Sequence, residues 1–328
     1  MRHGASGWPL RPSIATLVVV ATLLGGCSDR TYLPTAPDPA SLDGISAAPP
    51  DPRDHEDYEP KPTPGPGLKP QPFCETAYPF RTATFGNPLR IDNQWAPLIP
   101  GTQYVLTGQA NRGLGLLPHV VVFTVTDVVK VIDGIPCVTL WDRDFQNGVL
   151  AEEELAFFAQ DDQGTIWSMG EYPEEFDVAS GEFQGAPSTW IAGIDGTEAG
   201  NWMLGDLRRG KGYYSQGFSA PIEFLDCATV LPGRVKTCVP AGCYEDVMVI
   251  DEWGPYDKAG GHQRKFYAKG VGNVRIGAIN DPEGETLVMT ARRALNPTEL
   301  AAARAEVLRL DQRGFMFNDV YARTTPAY

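Results

Sequence analysis

The segments Val120-Val121-Val122-Phe123-Thr124-Val125-Thr126, Asp133-Gly134, Cys137-Val138-Thr139-Leu140-Trp141, Asn147-Gly148, Leu155-Ala156-Phe157-Phe158-Ala159-Gln160, Asp161-Asp162-Gln163-Gly164 and Thr165-Ile166-Trp167 follow one another along one stretch of chain. The apolar runs are short and rich in β-branched and aromatic residues, which pack well on a pleated sheet. Between them stand Asp-Gly and Asn-Gly pairs, whose tolerance of positive φ suits two-residue hairpins. Strands joined in chain order by such turns predict an antiparallel meander. A mostly helical protein is not expected.

The pattern recurs further along. At a shift of 247 − 138 = 109 positions, Val138 matches Val247, Leu140 matches Val249, Trp141 matches Ile250, and Phe157-Phe158-Ala159-Gln160 matches Phe266-Tyr267-Ala268-Lys269. This reads as two copies of one β-meander, with chance hairpin periodicity as the alternative. Residues 281–284 make another turn before a strand at 286–291. Because closure removes exposed strand edges, the expected fold is mainly β, an antiparallel meander curved into a barrel-like or half-barrel sheet of two related halves. One C-terminal α-helix accompanies it. Asn296 caps that helix, Pro297 takes its first position, Glu299 completes the cap, and Leu300, Ala303, Val307 and Leu310 form an apolar stripe before Gly314 stops it. Such a stripe suits a plug or lid on a sheet, and the residues after Phe317 are expected to trail along the surface.

At the N-terminus, Arg2 and Arg11 precede an uncharged apolar run at residues 14–24. It is too short to span a bilayer, which takes about 20 residues, and fits a signal-peptide core. The run ends in Leu24-Gly25-Gly26-Cys27, which resembles the lipobox of bacterial lipoproteins. The resemblance implies that residues 1–26 are removed, that the Cys27 thiol accepts a diacylglycerol and its amine an acyl chain, and that the protein is held on a membrane. Ser28 stands where an Asp would resemble an inner-membrane retention signal, which favours the outer membrane or cell surface. Residues 28–72 hold 12 prolines, eight acidic and four basic side chains and few large apolar residues, a composition that suits an extended tether. The expected organisation is therefore a signal peptide (1–26), a lipidated Cys and Pro-rich tether (27–72), a β-rich domain (73–295) and a C-terminal helix and tail (296–328).

Beyond Cys27 there are five cysteines, an odd number in a compartment that permits disulfides. Cys238-Val-Pro-Ala-Gly-Cys243 suits a small loop closed by a bridge. If Cys74 pairs with Cys137 or Cys227 one thiol is left over, and a free, buried Cys137 is the plain expectation.

The 328 residues carry 41 acidic against 27 basic side chains, a formal charge of −14, which argues against nucleic-acid binding. His119 and His262 are the histidines of the β-rich region, and neither H-E-x-x-H nor G-x-S-x-G occurs. No metal site, cofactor or catalytic residue is assigned. Ser215 or Ser168 with His262 or His119 is arithmetically open to nucleophilic catalysis. Residues 205–212 approach a phosphate-binding loop but place Gly212 where the magnesium-binding Ser/Thr belongs, so they read as a basic loop. The carboxylates Asp142/Asp144, Glu152-Glu153-Glu154, Asp161-Asp162, Glu174-Glu175 and Asp281/Glu283/Glu285 sit at or beside predicted turns, where oxygen ligands could gather a calcium ion, but none matches a spaced calcium loop and they read as solvated hairpin tips. Trp190, Trp202, Tyr213 and Tyr214 are the candidate binding surface, since aromatics supply contact area at low entropy cost.

The stretch from Ile91-Asp92-Asn93 and Pro100-Gly101-Thr102, through Val131-Ile132-Asp133-Gly134, Phe158-Ala159-Gln160-Asp161 and Gly170-Glu171, to Phe266-Tyr267-Ala268-Lys269-Gly270-Val271-Gly272, resembles a widespread family of secreted bacterial proteins without an assigned activity. A second resemblance, carried by residues 267–272 and the lipobox, is to periplasmic half-barrel lipoproteins, some of which carry lipids. Both imply a fold and no catalytic residues. The leading expectation is a membrane-anchored envelope lipoprotein acting as a non-catalytic binding module for a hydrophobic ligand or an envelope protein partner, its oligomeric state open. The alternatives are an extracytoplasmic hydrolase acting on a glycan or ester, and a structural subunit of an envelope complex.

Overall fold

A computed structural model describes residues 73–257 and 260–328. The signal segment, Cys27 and the Pro-rich tether lie outside the described residues. The strands are β1 (Thr102–Asn111), β2 (Leu116–Ile132), β3 (Ile135–Gln146), β4 (Val149–Gln160), β5 (Ile166–Phe176), β6 (Phe183–Gly185), β7 (Trp190–Ile191), β8 (Glu198–Met203), β9 (Tyr214–Ser219), β10 (Phe224–Val230), β11 (Val235–Val239), β12 (Gly242–Trp253), β13 (His262–Ala268), β14 (Gly272–Ile279) and β15 (Thr286–Ala294).

Two hairpins set the register of the opening meander. Asp133-Gly134 and Asn147-Gly148 all have positive φ (48°, 76°, 50° and 81°), the requirement of a type I′ turn. Ile132 and Ile135 pair across the first turn, and Gln146 and Val149 across the second. The two sequence copies become the corresponding triplets β3-β4-β5 and β12-β13-β14.

The sheet runs β10-β9-β8-β5-β4-β3-β2-β1-β15-β14-β13-β12, and β10 pairs with β12 to close it into an antiparallel barrel of twelve strands. Closure is complete rather than half-open, with Cys227 opposite Trp253 and Val230 opposite Ile250 at the seam. Beside that seam a Cys74–Cys227 disulfide ties the start of the described chain to β10, and Cys238–Cys243 closes the β11–β12 hairpin. Cys137 is free and buried.

The helix α1 (Pro297–Phe317) opens with a reciprocal cap: the Asn296 side chain accepts from Glu299 N–H while the Glu299 carboxylate accepts from Asn296 N–H. Ala303, Val307, Leu310, Asp311 and Gly314 form its buried face. Gly314 does not stop the helix, which continues to Phe317. A Cβ at 314 would lie 2.4 Å from the Tyr321 ring, so this position is a packing notch.

Alternation along the strands shows where the helix lies. Leu140, Asp142, Glu154, Ala156 and Phe158 share one face with residues of β1, β8, β13 and β14, from across the barrel, and therefore face the lumen. The residues that alternate with them face outward, as does Tyr172 beside the lumen-facing Glu171. There Glu153 meets Arg309 of α1, and the Phe157 and Tyr172 rings meet Tyr321. The helix is thus neither plug nor lid: it lies along the outer wall of β2–β5. Nor does the tail trail. Tyr321 is fully buried, and Tyr328 exchanges two backbone hydrogen bonds with Val129.

Candidate functional site

The lumen has a floor. Residues 91–98 cross one end of the barrel, with Asn93 N–H donating to Gln160 Oε1 at 2.8 Å and Asn93 Nδ2 donating to Gly164 O at 2.8 Å. On the opposite side Gly270 N–H donates to Gln94 O at 2.7 Å. Ile91-Asp92-Asn93 and Phe266 to Gly272, two of the sequence motifs, thereby meet across the barrel end.

Above the floor lies a cavity of about 240 Å³, lined by Ala96, Pro97, Leu98, Tyr104, Phe123 and Leu140 at one end and by Asp142, Glu154, Glu171 and Lys265 at the other. The gradient follows from strand periodicity. Reading β4 from floor to mouth, the lumen-facing residues are Phe158, Ala156, Glu154 and Glu152, and on β3 they are Val138, Leu140, Asp142 and Asp144. The carboxylates of β3, β4 and β5 are therefore not solvated hairpin tips. Two-residue period sends alternate members inward, while Glu153 and Glu174 turn outward beneath α1 and are 3% and 1% exposed.

Enclosure changes their acidity. Burial, then the charges of Asp144 and Glu152, pushes Asp142 well above the usual carboxylate range. Burial, then Glu171, does the same to Glu154. Burial with Asp144 beside it pushes Glu152 up to about 8, and burial with Glu252 and Glu171 pushes Asp226 up to about 7. Glu171 is also raised by burial, against the Trp190 indole N–H that donates to it at 2.9 Å. Lys265 answers part of this charge: burial opposes its ionised form, but Glu252, 2.5 Å away, outweighs that and holds the ammonium. An enclosed surface with more carboxylates than cations favours a ligand that brings positive charge or hydrogen-bond donors.

The four candidate aromatics are not one surface. Trp202 lines the cavity with its ring 4.6 Å from Phe158. Trp190 is 1% exposed and stacks on Phe224, where the bare Cα of Gly217 leaves room for the ring. Tyr214 is also 1% exposed, and its hydroxyl has no hydrogen-bond partner. Tyr213, at the surface, donates to Asp251 at 2.8 Å.

Asp251 also meets His262 Nδ1 at 2.6 Å, with Trp253 stacked on the imidazole at 4° between planes. A pocket of about 250 Å³ adjoins this group and contains Asp226, Glu252 and Lys265. Its described lining offers no Ser, Thr or Cys, and the hydroxyl beside His262 is that of Tyr213, 3.5 Å from Nδ1. Ser168 is 2% exposed on β5, and Ser215 Oγ accepts from Gly217 N–H. Sequence reasoning missed the lumen carboxylates, although the spacing Glu152-x-Glu154-x-Ala156-x-Phe158 carries the signal.

At the barrel mouth, a third pocket of about 530 Å³ is bordered by Arg112, Asp144, Glu152 and Glu175. Beside this pocket, which Asp144 borders, His119, Asp144 and Glu285 bring one imidazole nitrogen and two carboxylate oxygens within 4.8 Å of one another, the metal-capable grouping among the described residues.

Structural comparison finds similarity to a protein of Parabacteroides distasonis ATCC 8503 described as a lipoprotein, at 15% identity and a TM-score of 0.35, covering 62% of this chain and 100% of that one. It also finds an exported protein with a YmcC-like fold from Bacteroides fragilis NCTC 9343, at 13% identity and a TM-score of 0.31, covering 61% of this chain and 99% of that one. No family model and no curated protein sequence matches the chain.

Proposed function

We propose that the chain is an envelope protein held to a membrane by lipid on Cys27, whose barrel binds a small amphipathic molecule with an apolar body and a protonated amine. The observation that carries this reading is the polarity gradient of the lumen, from Leu98, Leu140 and Phe158 at the floor to Asp142, Glu154 and Glu171 above them. An apolar body gains about 0.8 kcal/mol per buried methylene. An ammonium group among the carboxylates takes the place of the protons that burial imposes on them. A wholly hydrophobic ligand suits the floor and leaves the acidic half unmatched. At about 240 Å³ the cavity is smaller than the roughly 300–1,000 Å³ of drug-sized sites, which limits the occupant to a chain of a few carbons or a single ring. The two disulfides support a place outside the cytosol, and Ser28 after Cys27 favours the outer membrane or cell surface.

Calorimetric titration of the full chain with hexylamine, hexanol and hexanoate at neutral pH tests the reading. The amine should bind most tightly and the acid least, and Glu154→Gln with Asp142→Asn should narrow the gap. Hexanoate binding as well as hexylamine, or no binding by any of the three, sinks it.

A hydrolase of glycans or esters remains the second reading because Asp226, half-buried on β10 and raised to about 7, has the acidity of a general acid or base near neutral pH. Turnover of chromogenic glycosides or esters that disappears in Asp226→Asn would favour it over binding alone.

A further inference from the structure

We propose that His119, Asp144 and Glu285 form a three-ligand site for a first-row transition-metal dication of the zinc class, opening toward the barrel mouth. His119 is fully buried on β2. Its Nδ1 lies 3.1 Å from Gln146 Oε1, and the Gln146 amide is oriented by Nε2 donating to Ala110 O at 2.8 Å and Leu117 O at 3.3 Å. The oxygen of that amide therefore faces the ring, and Nδ1 carries the hydrogen it accepts. This is the outer support that metal-bound histidines use to fix ring orientation and leave Nε2 free for the ion.

That Nε2 has no hydrogen-bond partner, although it lies 3.2 Å from Glu285 Oε1 and 3.5 Å from Asp144 Oδ2. The buried nitrogen is flanked by two carboxylate oxygens, of which that of Asp144 also accepts from Arg112 Nη2 at 3.3 Å, and a metal ion between the three donors completes the arrangement. An ion about 2.1 Å from each of its tetrahedral ligands separates them by about 3.4 Å, which both nitrogen–oxygen distances match.

Topology makes the convergence. Asp144 lies on β3, His119 on the adjacent β2, and Glu285 just before β15, with β1 between β2 and β15. Gly108 is the β1 residue directly opposite His119, so no side chain stands in that place. Arg112 Nη2 lies 3.3 Å from Asp144 Oδ2 and 3.7 Å from Glu285 Oε1, the two oxygens that flank His119 Nε2, and its Nη1 lies 3.3 Å from Glu283. Burial opposes the charged imidazole, but Asp144 and Glu285 outweigh it and raise His119 to about 9, so a dication bound here takes the place of the proton on Nε2. One nitrogen and two oxygen donors suit zinc or its neighbours better than calcium or magnesium, which take oxygen alone.

The test uses the full chain purified without an affinity tag, stripped with chelator and titrated with Co²⁺, then with Zn²⁺. One equivalent of Co²⁺ should produce visible d–d absorption that Zn²⁺ displaces. Glu285→Gln and Asp144→Asn should each weaken binding by at least about tenfold, the scale that even outer-shell changes produce. His262→Gln should leave it unchanged. If His119→Gln does not fold, the two size-preserving carboxamide variants carry the test, with circular dichroism confirming the barrel. A folded wild-type chain that binds no Co²⁺, or equal binding by wild type and both variants, overturns the assignment.

Discussion

Lys130 of β2 and Asp311 of α1 face each other 2.6 Å apart, with side chains 0% and 3% exposed, and join the outer wall of the barrel to its helix. The Lys130 ammonium also lies over the Tyr321 ring at 4.0 Å, while the Tyr321 hydroxyl donates to Asp311 at 2.7 Å. Burial pulls Lys130 below its ordinary pKa, against the attraction of Asp311. Removing one partner of such a pair strands a buried charge at a cost of about 3–5 kcal/mol, whereas replacing both with apolar residues of similar volume is often neutral. Urea denaturation should show Lys130→Met and Asp311→Leu each strongly destabilised, and the double variant recovering most of the loss.

Gly314→Ala should lower stability even though Ala is the better helix former by roughly 0.8–1.0 kcal/mol. The added Cβ meets the Tyr321 ring at 2.4 Å, and Tyr321 is the anchor of the C-terminal segment. A melting temperature above that of the wild type would contradict the packing role given to this glycine.

Stability should fall as pH rises through the neutral range. Burial pushes Glu152 up to about 8 and Asp226 up to about 7, while unfolded carboxyl groups titrate near 4. Between those limits the folded barrel holds protons that the unfolded chain has released. The contribution is therefore fully present below the unfolded values and is lost as pH climbs through 7 to 8. Thermal unfolding should give a higher midpoint near pH 5.5 than near pH 8.5, and Glu152→Gln should flatten the difference.

The Cys74–Cys227 bridge joins residues 153 positions apart, which by loop entropy is a contribution of about 5 kcal/mol at most. Replacing both cysteines with serine should lower the denaturant midpoint far more than the same change at Cys238 and Cys243, only five positions apart. Burial pushes the Cys137 thiol upward, so it should resist alkylation until the chain unfolds.

The local grammar of the fold was legible in residue types. Asp133-Gly134 and Asn147-Gly148 allow the positive φ their turns adopt, and Asn296, Pro297 and Glu299 build the helix cap the pattern anticipates. What local pattern does not contain is which face of a strand becomes the lumen. Glu152 and Glu153 are neighbours with similar chemistry, and only the β10–β12 seam and the docking of α1 send one inward and the other beneath the helix. The fate of Gly314 was hidden for a similar reason, since the ring that needs its missing Cβ arrives seven residues later. His119 and Glu285 lie 285 − 119 = 166 positions apart, so no spacing rule brings them together before the barrel closes.

The central claim, that a cationic ligand enters among protonated lumen carboxylates, predicts a proton balance. Titrating hexylamine at neutral pH in two buffers of different ionisation enthalpy should show protons released on binding, with the release abolished in the Asp142→Asn, Glu154→Gln double variant. Binding with no exchange of protons, or with protons taken up, would contradict the account.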